Sequence, residues 1–147
     1  MAFLSSLDIS GSALTAERLR MDVISENIAN ASTTRTEKGG PYRRKMTVFA
    51  PAEQTSFRQM MEDHMDSGEQ TQQGVKVTQI LEDQSEFTPV YDPTNADANA
   101  QGYVMMPNVD QTKETLDMMS ATTSYNANLT AFNAIKGMAV KALEMGR

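Results

Sequence analysis

The chain has 147 residues, 39% of them apolar, no cysteine and a formal net charge of −6. The lack of cysteine excludes disulfide bonds, thiolate nucleophiles and cysteine-based metal sites. The acidic balance argues against a nucleic-acid binder, because such proteins present a broad basic face, whereas here the basic residues concentrate in residues 35–45, with a net charge of +4.

Residues 3–30 predict one long amphipathic helix. Its apolar positions recur at alternating spacings of three and four, the heptad pattern of a helix that packs along a seam. The seam positions are Phe3, Leu7, Ser10, Leu14, Glu17, Met21, Ile24, Ile28 and Ala31. Ser10 and Glu17 interrupt the pattern. Such a helix is about 42 Å long, too long for a domain of this size to cover completely.

The middle of the chain has a different character. Residues 46–49, 74–81 and 87–91 are rich in β-branched and aromatic residues and predict short strands. Pro89 restricts the third candidate to a sheet edge or to an irregular segment. Residues 54–73 predict either a short helix around 57–65 or a mobile loop, and residues 92–102 predict a polar surface loop. We expect a small element of two or three strands that packs against the helices or against neighbouring subunits.

Residues 112–145 predict a second long helix with the same heptad spacing. Its seam positions are Met118, Ala121, Tyr125, Asn128, Phe132, Ile135, Ala139 and Ala142. Asn128 is polar, and a polar seam residue can fix register and partner number at a cost in stability. We expect Asp110 or Thr112 to cap the start of this helix.

The predicted fold is therefore mainly α. Residues 1–34 and 111–147 form long terminal helices that pair as a coiled coil, and residues 35–110 form a small β-rich insert between them. The apolar stripes are wider than one seam, so two interpretations stay open. In the first, the helices form a bundle within one chain. In the second, the apolar surface that remains uncovered packs identical or similar subunits around a common axis.

The second interpretation predicts an assembly interface made of the apolar seam. Its residues are Phe3, Leu7, Leu14, Met21, Ile24, Ile28, Met118, Tyr125, Asn128, Phe132, Ile135 and Ala139. The basic residues Arg43, Arg44 and Lys45 are either lateral contacts to acidic neighbours or part of a solvated turn.

Nothing in the sequence indicates catalysis. His64 is the only histidine, and a lone histidine among scattered acids is a weak metal ligand set. Residues 97–108 partly follow the spacing of a calcium loop, but Asn108 stands where a bidentate glutamate is needed. No glycine-rich phosphate-binding motif occurs. We therefore predict no enzyme activity, no metal site and no cofactor.

No stretch approaches the roughly 20 apolar residues that cross a bilayer. The first residues also lack the basic and apolar regions of a secretory signal. We expect the chain to be cytosolic or to be exported by a route that does not read such a signal.

Several separated motifs resemble one known family. Residues 7–14 and 24–30, followed by residues 33–36, resemble the N-terminal signature of flagellar basal-body rod, hook and hook–filament junction proteins. Residues 39–45, and residues 91–93 leading to 102–109, resemble its proximal-rod members. Residues 118–128 resemble its C-terminal motif, which usually reads Arg-Ala-Tyr-Glu-Ala-Asn. Thr123 and Asn126 replace the charged residues of that motif, which removes two charges that could pair between subunits.

The resemblance implies a structural subunit of the proximal rod, the driveshaft that crosses the periplasm between the membrane ring and the distal rod and hook. It implies self-association and, as partners, the rod proteins FlgB, FlgF and FlgG, the protein FliE and the membrane-ring protein FliF. It also implies export by the flagellar type III apparatus without a cleaved signal. Two rival classes remain. A helical-bundle export chaperone or adaptor would behave as a discrete folded oligomer, and a small hydrolase or metal protein would bind zinc or calcium and depend on His64.

Overall fold

The computed structural model describes residues 2–37, 39–52 and 74–146, with side chains from Ser5 onward. Its elements are α1 (Ala2–Ala29), β1 (Lys45–Pro51), β2 (Val75–Glu82), β3 (Thr88–Tyr91), β4 (Tyr103–Met106) and α2 (Gln111–Met145). The predicted fold class is confirmed, because two long terminal helices pack together and carry a small antiparallel β insert. The alternatives for residues 54–73, and His64, lie outside the described residues. The domain boundaries at 34/35 and 110/111 stay a prediction.

The two helices run antiparallel. Asn27 contacts Glu114 at one end of the pair, and the Thr122 hydroxyl lies 3.7 Å from Met21 Sδ further along it. Because both helices rise equally per residue, the start of α1 at Ala2 falls opposite about residue 139 of α2. The last turn and a half of α2 therefore continues beyond the start of α1.

The ends of the helices follow from local chemistry. Asp110 caps α2, since its Oδ1 accepts hydrogen bonds from the backbone N–H groups of Thr112 (2.9 Å) and Lys113 (3.3 Å). Of the two predicted caps, Asp110 is confirmed. After α1 the chain turns through Gly39 and Gly40, whose φ angles of +82° and +86° lie in the left-handed region that favours glycine.

The β insert consists of two separate two-stranded antiparallel sheets, β1–β2 and β3–β4. The three predicted strands are confirmed, and Pro89 lies in β3, which is an edge strand because its sheet has only two strands. Sequence reasoning missed β4. It pairs with β3 across a long turn, where the side chains of Asp92 and Asn99 accept backbone N–H groups and hold the connection in shape.

The two sheets are attached differently. The β1–β2 sheet packs on α1, where Ser12 Oγ accepts the Val75 N–H at 3.0 Å. Within the described residues, β3–β4 makes no close backbone contact with either helix. It is tied instead to the segment after α1, through a 2.8 Å hydrogen bond from the Thr34 hydroxyl to Asp97 Oδ2.

Candidate assembly interface

The predicted seam residues lie between α1 and α2 of the same chain. In α1, Ile24 is buried and Leu7, Leu14, Met21 and Ile28 are half-buried. In α2, the same holds for Met118, Ala121, Tyr125, Asn128, Phe132, Ile135 and Ala139, which are buried or half-buried, whereas the last seam position, Ala142, is exposed. The side chain of Phe3 lies outside the described residues. The structure thus brings these residues together as internal packing, and their contact with other subunits stays a prediction.

The outer face of α2 keeps large apolar side chains exposed. Met119 is 62% exposed, and Leu116, Leu129 and Met138 are exposed on the same helix. Where α2 extends past α1, Leu143 and Met145 are 76% and 84% exposed. Contiguous exposed apolar surface of this kind marks interaction sites in soluble proteins.

This outer face also carries no charge over five turns. No charged residue occurs between Asp117 and Lys136. The hydroxyls of Thr123 and Thr130 donate to backbone carbonyls one turn earlier, each at 2.8 Å. Because these donors are satisfied inside the helix, their burial against a neighbour costs little free energy.

A second exposed apolar area lies on the β1–β2 sheet. Met46 pairs with Leu81 across the strands, and both are exposed, as are Val48 and Ile80. Cross-strand apolar pairs usually stabilise a sheet by facing a core. Within the described residues, these side chains keep between 36% and 47% of their surface exposed. Because successive strand residues face opposite sides, Ile80 lies on the other face from Leu81, and the face with Met46, Val48 and Leu81 offers a second surface for packing.

The insert end of the helix pair is closed by buried polar residues, here called the basal cluster: Asn27, Tyr42, Arg44 and Glu114. Glu114 is 0% exposed and Asn27 is 1% exposed. Asn27 Nδ2 donates to the Lys45 carbonyl (2.8 Å) and to Glu114 Oε2 (2.9 Å). Asn27 Oδ1 accepts from the Tyr42 hydroxyl (3.0 Å) and from the Lys45 N–H (2.9 Å). All four hydrogen-bonding positions of this amide are therefore filled.

The predicted basic contact residues are engaged inside the chain. Arg44 Nε donates to Glu114 Oε1 at 2.6 Å, and its Nη2 donates to Asp117 Oδ2 at 3.2 Å. The Arg43 guanidinium lies over the Phe87 ring, 4.3 Å from its centroid. Lys45 forms an ion pair with Glu26. All three side chains thus have partners within the chain, and Arg44 in particular connects the insert to α2. Their contact with other subunits stays a prediction.

Burial and negative charge shape the titration of Tyr42. Its burial, and next the nearby carboxylates of Glu26, Glu114 and Glu82, raise the pKa of the phenol to about 12. The hydroxyl consequently stays protonated at ordinary pH and can donate to Asn27 Oδ1.

Sequence reasoning missed the basal cluster as a unit. The sequence indicates Asn27 and Tyr42 only as parts of family motifs, and it indicates no role for Glu114. An acidic residue in the first turn of a helix is common, because the helix dipole favours negative charge there. Glu114 therefore looked ordinary in the sequence, and only the antiparallel pairing places it against Asn27 and Arg44.

The calcium-like spacing in residues 97–108 belongs to a turn. Asp97 bonds Thr34, and Asn99 Oδ1 accepts the N–H groups of Gln101 (2.9 Å) and Tyr103 (3.0 Å). In the described part of the chain, no group of three acidic or histidine side chains is arranged to hold a metal ion. Among the described helices, none is long and apolar enough to cross a membrane.

Comparison with known proteins gives consistent matches along the chain. Residues 7–35 match the family described as flagella basal body rod protein, and residues 100–145 match the family described as flagellar basal body rod FlgEFG protein C-terminal. The chain is 51% identical to the flagellar basal-body rod protein FlgC of Bacillus subtilis over the full length of both chains. It is 43% identical to that of Borreliella burgdorferi, covering 97% of each, and 40% identical to that of Salmonella typhimurium over the full length of both.

Proposed function

Because the chain belongs to the FlgC family of flagellar basal-body rod proteins, we propose that it works in the proximal rod, as part of the driveshaft that carries torque from the membrane ring to the distal rod and hook. The chain is a structural rod protein and not an enzyme. The observation that carries the proposal is the exposed, charge-free outer face of α2.

The proposed mechanism is packing. The seam residues from Leu7 to Ile28 and from Met118 to Ala139 hold the helix pair together, and neighbouring subunits bury the outer face. Each square ångström of apolar surface removed from water contributes roughly 25 cal/mol, so many modest contacts add up to a stiff tube. Torque then passes through interlocked side chains, with no chemistry at any single residue.

Lateral contacts of the insert form the second part of the proposal. Arg43, Arg44 and Lys45 are only half-buried, so the parts of their side chains that face solvent remain open to acidic neighbours. The apolar pair Met46 and Leu81 lies on the adjoining sheet. A neighbour that covers this area would meet apolar side chains beside positive charge.

The proposed partners are other copies of the chain, the rod proteins FlgB, FlgF and FlgG, the protein FliE and the membrane-ring protein FliF. The proposed route is the flagellar type III apparatus, without cleavage of a signal. Partial disorder of the terminal helices before assembly would suit such a route, since each exposes a wide stripe until partners cover it.

The test is complementation of a strain that lacks the gene. Met119→Asp and Leu143→Asp place a charge at exposed apolar positions of α2 without touching the seam. Gln111→Asp is the matched control, because it adds the same charge at an exposed position of the same helix, outside the charge-free stretch. Substitutions of Leu14 or Ile28 are less informative, because these residues also pack within the chain.

We expect both outer-face variants to be expressed, to keep the helix content of the wild-type chain and to lose rods in electron micrographs, while cells with Gln111→Asp swim. Normal rods in both outer-face variants would remove the outer face from the assembly interface.

A further inference from the structure

The β1–β2 sheet is attached to α1 at both of its ends. At one end, Asn27 Nδ2 donates to the Lys45 carbonyl at 2.8 Å, and Asn27 Oδ1 accepts the Lys45 N–H at 2.9 Å. At the other end, Ser12 Oγ accepts the Val75 N–H at 3.0 Å. Lys45 is the first residue of β1, whereas Val75 is opposite its last residue, Pro51. The two attachments therefore lie at opposite ends of the sheet.

Asn27 lies at the free edge of β1. Opposite residues of an antiparallel pair alternate between exchanging both backbone hydrogen bonds and exchanging neither. The Asp83 N–H donates to the Arg44 carbonyl at 2.8 Å, so these two residues form a bonded pair. Lys45, which is next in register and opposite Glu82, consequently directs its N–H and carbonyl away from β2. Asn27 bonds both groups, on a side of β1 where the described chain has no strand.

Ser12 lies at the free edge of β2, by the same reasoning. The Ala52 N–H donates to the Gly74 carbonyl at 2.8 Å, so the next residue, Val75, directs its N–H away from β1. Ser12 accepts this N–H, while its own hydroxyl donates to the Ile9 carbonyl at 2.7 Å. Helix α1 thus passes from the free edge of β1 at one end of the sheet to the free edge of β2 at the other.

The lengths of the helix and the sheet agree. Fifteen positions separate Ser12 from Asn27, which corresponds to about 22 Å of α-helix. The seven residues of β1 span about 20 Å at about 3.4 Å per residue. Because the two distances are nearly equal, a straight helix can make both attachments at once.

Gly74 allows the close approach at Ser12. An added Cβ on Gly74 would lie 2.2 Å from Ser12 Oγ and 2.9 Å from Ser12 Cβ, whereas ordinary contacts of a Cβ lie between 3.4 and 4 Å. The φ angle of Gly74 is not in the left-handed region, so its backbone conformation would accept alanine. Glycine is therefore required here by the contact with α1, and a larger residue would push Ser12 away from the Val75 N–H.

We infer that Ser12 and Asn27 are positioning residues that form an edge clamp, which holds the β1–β2 sheet on α1 from its two opposite free edges and needs Gly74 for its close contact. One attachment would let the sheet swing about that point, whereas two attachments about 20 Å apart fix its direction on the helix. The edge clamp consequently sets where the exposed side chains of Met46 and Leu81 point relative to the helix pair.

Complementation of a strain that lacks the gene, read as swimming and as rods in electron micrographs, tests the edge clamp in the assembled protein. We expect Gly74→Ala to lose rods. Gly11→Ala is the matched control, because it adds the same methyl group beside Ser12 with nothing within 4 Å, and its cells should swim. Normal rods in Gly74→Ala would overturn the inference.

A second substitution at position 12 separates the contact from a general loss of stability. Ser12→Gly removes both atoms that an alanine at position 74 would meet, and alone it should reduce swimming because the Val75 N–H loses its acceptor. Ser12→Gly combined with Gly74→Ala should swim as well as Ser12→Gly alone and better than Gly74→Ala. A double variant that performs worse than both single variants contradicts the edge clamp.

Crosslinking decides the matter if Ser12→Gly abolishes swimming by itself. The chain has no cysteine, so an introduced pair provides the only thiols. The Cβ positions of residues 12 and 74 lie 2.9 Å apart, and a small shift brings them to the roughly 3.5–4.5 Å of a disulfide. In basal bodies treated with a mild thiol oxidant, Ser12→Cys with Gly74→Cys should form a disulfide within one chain.

The control pair is Ser12→Cys with Gln84→Cys, because Gln84 is exposed and follows the other end of β2. This pair should form no disulfide within a chain. A disulfide between residues 12 and 74 that joins two chains, or an equal yield from the control pair, would show that α1 does not hold the sheet of its own chain.

Discussion

Asn27 Nδ2 lies 2.9 Å from Glu114 Oε2, although 87 positions separate the two residues in the chain. This contact defines the register of the antiparallel helices. It also places a carboxylate where neither oxygen reaches water, so each must be satisfied by the protein. The stability of the insert end consequently depends on a few polar side chains rather than on a large apolar core.

Removal of the carboxylate should be among the most damaging single changes in the chain. Glu114→Ala removes the acceptor of one hydrogen bond from Arg44 and of one from the Asn27 amide. Breaking a buried ion pair typically costs about 3–5 kcal/mol. Urea unfolding followed by circular dichroism measures the change. As a control, Asp22→Asn should change the free energy of unfolding by less than about 0.5 kcal/mol relative to the wild-type chain. A Glu114→Ala variant as stable as this control would show that the cluster contributes nothing to stability.

Tyr42 should make the stability of the chain depend on pH in the alkaline range. The folded-state pKa of its phenol is raised to about 12, whereas an unfolded tyrosine titrates near about 10. The protonated form is thus favoured by folding. The contribution of the protonated phenol to the stability of the folded chain is fully present below pH of about 10, and it is lost as the pH rises through about 12.

The comparison of wild-type chain and Tyr42→Phe isolates this effect. The variant loses the hydrogen bond to Asn27 Oδ1, which costs about 0.5–1.5 kcal/mol near neutral pH. Above pH of about 10, the wild-type chain should lose stability faster than the variant. Unfolding measured at several pH values checks this, and parallel curves for both proteins would contradict the assigned pKa of Tyr42.

The helices were predictable because their heptad spacing is sustained over many turns. Residues 3–30 and 112–145 were predicted, and the structure has Ala2–Ala29 and Gln111–Met145. The strand β4 was not, although Gly102 and Pro107 bound it, because two of its four residues are methionine, which has no strand preference. The basal cluster was also missed as a unit. Asn27, Arg44 and Glu114 meet only through tertiary packing, and spacing within one helix cannot indicate such a contact.

Asp110 should account for much of the stability of the first turn of α2. Its carboxylate accepts two backbone N–H groups that otherwise have no partner within the helix. Asp110→Ala should therefore cost about 0.5–2 kcal/mol. Thr112→Ala alters the other predicted cap, whose side chain is exposed, and should cost less than about 0.5 kcal/mol. Thermal unfolding of the two variants distinguishes them, and equal losses would mean that the cap is not specific to Asp110.

Two glycines should respond to alanine in opposite directions. Gly102 has a φ of +83°, and an added Cβ would lie 2.9 Å from Cε2 of Tyr91, so Gly102→Ala strains the turn between β3 and β4. Gly137 lies in α2 with open space around it, and there alanine should stabilise the helix by up to about 1 kcal/mol.

Chemical denaturation with residue-level detection of β3–β4 and α2 separates the two effects. Gly102→Ala should loosen the small sheet and leave α2 unchanged, because that sheet makes no close backbone contact with either described helix. Gly137→Ala should raise the helix signal and leave the sheet unchanged. A Gly102→Ala chain whose helices also lose stability would mean that the β3–β4 sheet supports the helix pair through its loop contacts, such as the bond between Thr34 and Asp97.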